Sequence, residues 1–191
     1  DSDESRGLGD VYKRQSLHIT AQISPNINQY NKQGKKHGIW KGYHENTQIK
    51  RYEGEFNHGT PVGRFTYYAI EGHVSGIVDF INDSISSAQM FHDNGSIMAE
   101  GKFLNQTKSG KWYIYSRSGY LLNVLHYLSG ALEGTQYSYY PKFDDYEKVK
   151  VMEQYECTGG LKNGVWKEFH KLGTVKAAVS YTHLRAHETR L

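Results

Sequence analysis

The residues whose types could support chemistry are ten histidines, one cysteine and a short acidic run near position 145. His183 and His187 stand four positions apart, a spacing that brings two imidazoles to one face of a helix, where they can share a metal ion. No glutamate follows His183 directly, as a metalloprotease phrase requires, and Glu188 does not supply it. Both histidines also lie in a terminal segment that lacks the pattern of the rest of the chain. We therefore predict no metal site there.

Three further histidines, His44, His92 and His170, occupy equivalent positions of a repeated phrase that is defined below. A row of imidazoles on a sheet could bind a metal or respond to pH, because histidine titrates near neutrality. Such a row is also typical of solvent-facing polar positions opposite an apolar face, and we favour that interpretation.

Cys157 is the single cysteine, which excludes an internal disulfide and a zinc site built from cysteines. Other units carry an aromatic ring at its position, so we predict a small buried residue rather than a nucleophile. The acidic run Asp144, Asp145 and Glu147 lacks the regular oxygen spacing and the turn glycine of a calcium loop. The sequence therefore predicts no enzyme, no catalytic residue, no cofactor and no bound metal.

The composition limits the classes of fold and partner. The 191 residues carry a net charge of +3, which is too small and too scattered to indicate a nucleic-acid partner. Aromatic residues make up 14% of the chain, and 16 of them are Tyr, whereas disordered chains are poor in aromatics. Twenty Gly against three Pro indicate many tight turns. We expect a folded domain that binds no nucleic acid.

One phrase, Gly110-Lys-Trp112-Tyr-Ile-Tyr115, recurs along the chain and defines six units that begin 23 to 30 residues apart. A period of this length is the mark of a repeat architecture. The first position is Gly38, Gly63, Ser86, Gly110, Gly134 and Gly164. The third position is Trp40, Phe65, Ala88, Trp112, Gln136 and Trp166. The sixth position, aromatic in every unit, is Tyr43, Tyr68, Phe91, Tyr115, Tyr139 and Phe169.

Each unit has the features of a β-hairpin. Aromatic residues are enriched, and no segment shows the apolar spacing of an amphipathic helix. Turn residues follow the sixth position, and Asn94-Gly95 predicts a hairpin turn in which both residues take positive φ. The predicted fold class is all-β, an elongated antiparallel meander of repeated hairpins with little or no helix. Corresponding rings of successive units are expected to stack along one face, with the sixth-position rings holding hairpin to hairpin.

The chain divides into four expected segments. Residues 1–15 and 179–191 lack the repeat and resemble translated sequencing adapter, so we predict non-native tails on a metagenomic fragment. Residues 16–33 are a lead-in in which Ser16–Ala21 could be the end of a secretory signal peptide, with an ordinary polar segment as the alternative. The array of six units takes residues 34–178.

Two units depart from the regular pattern. The return half of the second unit, Ile70 to Asp83, fits poorly and is expected to bulge. The fifth unit is the longest, and its extra residues are expected within 141–147. A lengthened hairpin tip often carries binding residues, although a tolerated surface insertion is the alternative. The candidate partner-binding residues are Phe143, Asp144, Asp145 and Tyr146.

The repeated phrase resembles the MORN repeat, in particular the bacterial variant described as antitoxin-like, whose pattern begins Gly-x-Trp-x-x-Tyr. The resemblance covers about residues 34–178, and Thr47, Ala88 and Gln136 depart from it. It is closest over 34–63, 99–115 and 160–169. The resemblance implies a β-hairpin array that contacts proteins or membrane surfaces, often in the bacterial cell envelope. It brings no catalytic residues with it.

The function expected from these observations is a non-catalytic repeat scaffold for protein–protein interaction in the periplasm or cell envelope, with a cytoplasmic location as the alternative. The expected partner is an unidentified protein, or a second copy joined through the open edges of the sheet. One alternative is peripheral binding to an anionic membrane surface through lysines and aromatic rings. Another is neutralisation of a toxin, which only the label of the resembled family suggests.

Overall fold

The computed structural model describes residues 26–141 and 149–182, which form one antiparallel sheet of fifteen strands. The strands are β1 Gln29–Tyr30, β2 Lys36–Tyr43, β3 Lys50–Asn57, β4 Thr60–Tyr68, β5 Val74–Phe80, β6 Ile85–Phe91, β7 Ile97–Leu104, β8 Thr107–Tyr115, β9 Leu121–Leu128, β10 Ala131–Leu132, β11 Gly134–Tyr139, β12 Val151–Thr158, β13 Leu161–Lys162, β14 Gly164–Phe169 and β15 Val175–Tyr181. These described residues contain no helix, and hence none long and apolar enough to cross a bilayer. The predicted all-β meander of hairpins is confirmed.

Strands that follow one another in the chain are neighbours throughout the sheet. Each unit contributes one hairpin, namely β2–β3, β4–β5, β6–β7, β8–β9, β11–β12 and β14–β15. The short strands β10 and β13 lie between hairpins and pair with β9 and β12. Short connections leave no room for a crossover, so they permit only antiparallel pairing. Each hairpin therefore packs mainly against the one before it and the one after it.

Two kinds of turn alternate along the chain. Between most units, the chain reverses through two residues that both have positive φ, such as His58 (49°) and Gly59 (91°), a geometry that matches the twist of a hairpin. The turn at 81–84, between β5 and β6, has no residue with positive φ. Within units the turn is longer, and of Asn94 and Gly95 only Gly95 has positive φ, at 82°. The hairpin predicted at Asn94-Gly95 is present, but the predicted positive φ at both residues is wrong. A longer turn needs only one left-handed residue, a conformation that glycine adopts without strain.

A β-bulge recurs at the same place in every unit. The register between the two strands of each hairpin shifts directly before the sixth-position ring, as between Ile114 and Tyr115. In the second unit the shift lies between Tyr67 and Tyr68, and β5 otherwise pairs continuously with β4. The second unit is thus as regular as the others, and the bulge expected there belongs to all six. A bulge increases local twist, which shapes the end of each hairpin.

The sheet extends past both boundaries that were drawn from the sequence. Strand β1 lies within the lead-in of residues 16–33 and pairs with β2. Strand β15 continues beyond position 178 to Tyr181, which faces Gly164 across the hairpin as Phe56 faces Gly38 in the first unit. Backbone pairing can continue where the phrase stops, because ladder hydrogen bonds do not depend on the side-chain pattern.

The two faces of the sheet differ in character. Successive side chains point to opposite faces of a strand, so the third and sixth positions of a phrase lie on opposite faces. Trp112 packs against Phe103 and Tyr127 on one face, which we call the ring face. Tyr115 lies beside Glu100 on the other, which we call the polar face. The buried third-position residues, which form the core on the ring face, are Trp40, Phe65, Ala88, Trp112 and Gln136.

Candidate binding surface

Aromatic contacts join neighbouring hairpins on the ring face. The ring centroids of Phe56 and Phe65 are 5.1 Å apart in an edge-to-face arrangement. Trp112 makes the same kind of contact with Phe103 at 5.1 Å and with Tyr127 at 6.4 Å. Each such pair adds about 0.5–1.5 kcal/mol to the burial of the rings. The contacts join third-position rings to rings of the return strands, so these two positions connect the hairpins on the ring face.

Two glycines make room for third-position rings. A Cβ atom at Gly101 would lie 2.4 Å from the indole of Trp112, and one at Gly54 would lie 2.4 Å from the ring of Phe65. No side chain tolerates such a contact, so the strand before each ring must carry glycine there for the ring to lie flat on the backbone. Where the third position is the small Ala88, the preceding strand instead places Val78 opposite it. A large ring at the third position is thus matched by glycine on the preceding strand, and the small Ala88 by the larger Val78.

A lysine four residues before each Trp covers the ring face. The ammonium nitrogen of Lys108 lies 4.6 Å from the ring centroid of Trp112. The same pairing recurs as Lys36 with Trp40 and Lys162 with Trp166. Units without Trp carry Pro61, Ser84 and Leu132 at this position. A cation over a ring contributes about 0.5–1 kcal/mol at exposed sites, and the lysine stem shields apolar surface from water. The pattern Lys-x-Gly-x-Trp in the sequence therefore indicates a lysine over the tryptophan ring, a contact that was not predicted above.

Gln136 replaces the ring in the fifth unit and is fully buried. Its Nε2 donates to the carbonyl of His126 at 3.3 Å, and its Oε1 accepts from the His126 amide at 2.7 Å. In the fourth unit the indole nitrogen of Trp112 donates to the carbonyl of Lys102 at 3.1 Å, at the equivalent register position. Gln136 thus makes the same side-chain hydrogen bond as Trp112, although it has no ring. Because its polar atoms are hydrogen-bonded, this polar residue is accommodated in the core.

Cys157 lies in the core at the position of a return-strand ring, opposite Gly134. Only 3% of the residue is exposed, as expected for a small buried side chain. Burial raises the pKa of the Cys157 thiol, so the thiol is protonated at neutral pH.

The sixth-position rings lie on the polar face beside charged side chains. The hydroxyl of Tyr115 donates to Glu100 at 2.8 Å, and burial together with this carboxylate raises the pKa of Tyr115 to about 12. In the first two units Lys50 donates to Glu53 at 2.7 Å and to the hydroxyl of Tyr68 at 3.2 Å. The hydrogen bond from Lys50 lowers the pKa of Glu53. The sixth position is therefore a surface position that links charges across strands.

The repeat residues named from the sequence occupy three structural positions. The first-position glycines with positive φ are Gly38, Gly63, Gly110, Gly134 and Gly164. The sixth-position rings on the polar face are Tyr43, Tyr68, Phe91, Tyr115, Tyr139 and Phe169. Trp166 is only half-buried, and its indole nitrogen has no hydrogen-bond partner within the described ranges. The candidate partner-binding residues Phe143, Asp144, Asp145 and Tyr146 lie outside the described residues.

Two histidines connect neighbouring units rather than facing solvent as expected. Nε2 of His44 lies 3.0 Å from the carbonyl oxygen of Tyr68, and Nε2 of His92 lies 3.1 Å from that of Tyr115. A carbonyl oxygen can only accept, so each Nε2 carries the hydrogen and donates. His170 of the last unit is exposed, as predicted. Two of the three histidines in the row are thus structural links between neighbouring units.

The third unit, in which Ser86 and Ala88 replace glycine and tryptophan, is hollow on both faces of the sheet. On the ring face a notch of about 330 Å³ opens beside Ala88, with apolar walls that include Met90 and Phe103. On the polar face a groove of about 650 Å³ crosses β5, β6, β7 and β8. The notch on the ring face lies where the ring ladder is interrupted, so it follows from the departure of this unit from the phrase.

The groove on the polar face offers groups that recognise ligands by hydrogen bonds and charge. Its side chains are Ile77, Asp79, Ser87, Gln89, Glu100, Lys102, Ser109, Lys111 and Tyr113. Arg64 forms two hydrogen bonds with Asp79, of 2.8 and 3.0 Å, and lowers the pKa of Asp79. Glu100 accepts from Tyr115 and from Gln89. The ammonium groups of Lys102 and Lys111 have neither an ion pair nor a hydrogen bond among the residues that the structure describes.

The sequence analysis did not find this groove, because its residues come from four strands and share no motif. Over residues 26–141 and 149–182, no group of three or more His, Cys, Asp or Glu side chains is placed to hold a metal ion.

No protein-family model matches the chain, and no curated protein matches its sequence.

Proposed function

We propose that this chain is a non-catalytic scaffold that binds another protein through the polar face of its third unit. The observation that carries the proposal is the groove of about 650 Å³ across β5–β8. Specific recognition needs a concave surface with a few convergent polar groups, and the groove has both. It crosses the unit that departs most from the repeated phrase.

The backbone beneath the groove supports this proposal. Strand β6 pairs with β5 and with β7 over most of its length, so the groove is built on a regular sheet rather than on a loop. Sites on rigid elements lose little conformational freedom on binding. The resemblance of the phrase to the MORN repeat is a second support, since it implies contacts with proteins. Membership of that repeat class and a location in the cell envelope are part of the proposal.

Selection of displayed random peptides on the whole chain would test the proposal. The variant Ser87→Trp fills the groove, and Lys167→Trp adds the same ring at an exposed position of β14 on the same face. We expect selected peptides to bind the wild type and Lys167→Trp equally, and Ser87→Trp at least about ten-fold more weakly, a difference of 1.4 kcal/mol. Equal unfolding midpoints of the two variants would show that the fold is intact. Failure to select any peptide, or equal binding to Ser87→Trp, would contradict the proposal.

The same variants separate the alternative functions. Salt-sensitive binding to anionic vesicles that Ser87→Trp leaves unchanged would favour a membrane-surface module. A mass that rises with concentration in all variants would favour self-association through the sheet edges. A toxin that binds with equal affinity to the wild type and Ser87→Trp would favour a neutralising protein that uses another surface.

A further inference from the structure

We infer that the groove takes an extended acidic segment of a partner protein in which two carboxylates alternate with a neutral residue. The inference rests on the proposed function, because it names the chemistry of the partner at the same groove. Its basis is the pair of ammonium groups on Lys102 and Lys111, which have no partner among the described residues and lie on adjacent strands of the polar face.

The charges of the groove favour an anionic occupant. Asp79 is already neutralised by Arg64, with which it forms a two-point ion pair. Glu100 accepts hydrogen bonds at both of its carboxylate oxygens, from Tyr115 and Gln89. The two lysines, by contrast, have donors that no described residue accepts. Charge complementarity across an interface therefore requires acceptors with negative charge opposite the lysines.

The spacing of the lysines favours alternate carboxylates. Lys102 pairs directly with Ser109, and Lys111 lies two residues further along β8, on the same face. The register of β7 and β8 shifts between Glu100 and Lys102, so Lys111 lies in a bulge beside Lys102, and the flexible lysine stems allow the two ammonium groups to separate by several ångströms. In an extended peptide, residues i and i+2 project to one side and are separated by about 6.6–6.8 Å. A segment of the form acidic–neutral–acidic can thus place one carboxylate at each ammonium group.

The groove is also the right length for a short extended segment. Four strands at about 4.8 Å spacing span about 14 Å, which an extended chain crosses in four or five residues. Asp79 and Glu100 stand in the same groove, so a continuous polyanion would meet repulsion beyond the lysines. A peptide with isolated charges avoids this repulsion. We therefore favour an acidic protein segment over nucleic acid or an anionic membrane.

Titration of the whole chain with short labelled peptides tests the inference. The probe is Gly-Ser-Glu-Ser-Glu-Ser-Gly, its isomer has the two Glu adjacent, and a third peptide has Gln in place of both. Binding is followed by fluorescence anisotropy, and the shifts of backbone amides in β7 and β8 locate the site. An exposed ion pair contributes up to about 1 kcal/mol, so we expect the isomer to bind about five-fold more weakly and the Gln peptide weaker still.

Single substitutions assign the effect to the two lysines. We expect Lys102→Gln and Lys111→Gln each to weaken the alternate peptide about five-fold, and to abolish its preference over the isomer. Lys167→Gln removes the same charge from an exposed position of β14 and is expected to change nothing. Raising the ionic strength from about 50 mM to about 500 mM should weaken binding of the alternate peptide and leave binding of the Gln peptide unchanged.

The inference and the proposed function can fail separately. If display selects peptides that Ser87→Trp excludes but that lack alternate carboxylates, the inference is overturned and the proposed function stands. If Lys167→Gln weakens the alternate peptide as much as Lys102→Gln, the site is not the groove and the inference is overturned. A single-stranded oligonucleotide or a phosphatidylserine vesicle that binds more tightly than the peptide, through Lys102 and Lys111, would also overturn it.

Discussion

The third and fourth units are adjacent hairpins of the same sheet, but they differ in what fills the third position of the phrase. In the fourth unit Trp112 is completely buried between return-strand rings and beneath Lys108. In the third unit Ala88 stands at the equivalent position, and hollows open on both faces beside it. The backbone of both hairpins is the same, including the bulge before the sixth position. The third-position side chain thus decides whether the ring face of a unit is closed or leaves a notch.

The two units meet where β7 of the third pairs with β8 of the fourth. Gly101 of β7 pairs with Ala88 and lies beneath the ring of Trp112. The indole of the fourth unit therefore packs on the return strand of the third. Because the ring ladder resumes at Phe103, the sheet remains connected across the gap. The buried cluster of Ala88, Ala99 and Trp112 lies across both units, so their packing is continuous.

The largest effect is expected from Trp112→Ala. Removing a fully buried indole leaves a cavity and deletes the hydrogen bond to Lys102, so the free energy of unfolding should fall by about 3–5 kcal/mol. The matched change in the third unit, Ala88→Gly, should cost only about 1 kcal/mol, because little packing is lost. Urea unfolding of both variants measures the difference. Equal losses would show that the two units do not differ in their contribution to stability.

A smaller loss is expected from Gly101→Ala. The added methyl would lie 2.4 Å from the indole of Trp112, so the ring must shift, at a cost of about 1–3 kcal/mol. The control is Gly76→Ala, whose added methyl would meet only the carbonyl oxygen of Gln89, at 3.4 Å. Its effect on the urea midpoint should be clearly smaller. If both variants unfold at the same midpoint, the close contact of ring and glycine is not a constraint.

The link between the two units is expected to contribute about 1 kcal/mol. His92→Ala deletes the hydrogen bond from the imidazole to the carbonyl of Tyr115 and leaves that oxygen unpaired. His170→Ala removes an exposed imidazole at the equivalent position of the last unit and should leave the unfolding free energy unchanged. Thermal unfolding of both variants in the same buffer measures the difference. A loss of similar size in His170→Ala would contradict a specific role of the link.

The smallest effect is expected from Tyr115→Phe and depends on pH. The pKa of Tyr115 is raised to about 12 in the folded chain against 10.0 for an ordinary tyrosine, so the unfolded state loses its proton first. The stability that this raised pKa contributes is therefore present below pH 10 and is lost as the pH rises towards about 12. The phenylalanine variant lacks this part of the pH dependence. Urea midpoints of both proteins at pH 9 and pH 11.5 should converge at the higher pH; parallel shifts would contradict the assignment.

Much of the fold follows from the spacing of residues in the sequence. The recurrence of Gly-x-Trp-x-x-Tyr with turn residues between phrases predicts hairpins, and short connections then require an antiparallel meander. The length of each unit and the place of each turn could be read in the same way. The ring-covering lysines were also readable, because they stand four residues before Trp40, Trp112 and Trp166. These features are local, and local spacing is what a sequence displays directly.

The importance of the third position could not be read from its residue types. It varies from Trp to Ala88 and Gln136, which suggests tolerance, yet these are among the most buried residues described. Burial here depends on what the preceding strand supplies: Gly101 beneath Trp112, Val78 opposite Ala88, and carbonyl groups around Gln136. The sixth position never varies in aromatic character, but it lies on the surface. A change at the third position is compensated by residues of the neighbouring strand, and an alignment of the units by position does not show this compensation.

The sequence by itself therefore determined the strands, the turns and their order, because each depends on residues close together in the chain. Only the tertiary structure decided which face became the core, which histidines link units, and where the groove lies. The groove brings Asp79, Ser87, Glu100, Lys102 and Lys111 together across four strands. Their proximity follows from the register of the four strands, which no single segment encodes. Recognition at this surface is a property of the packed sheet rather than of the repeated phrase.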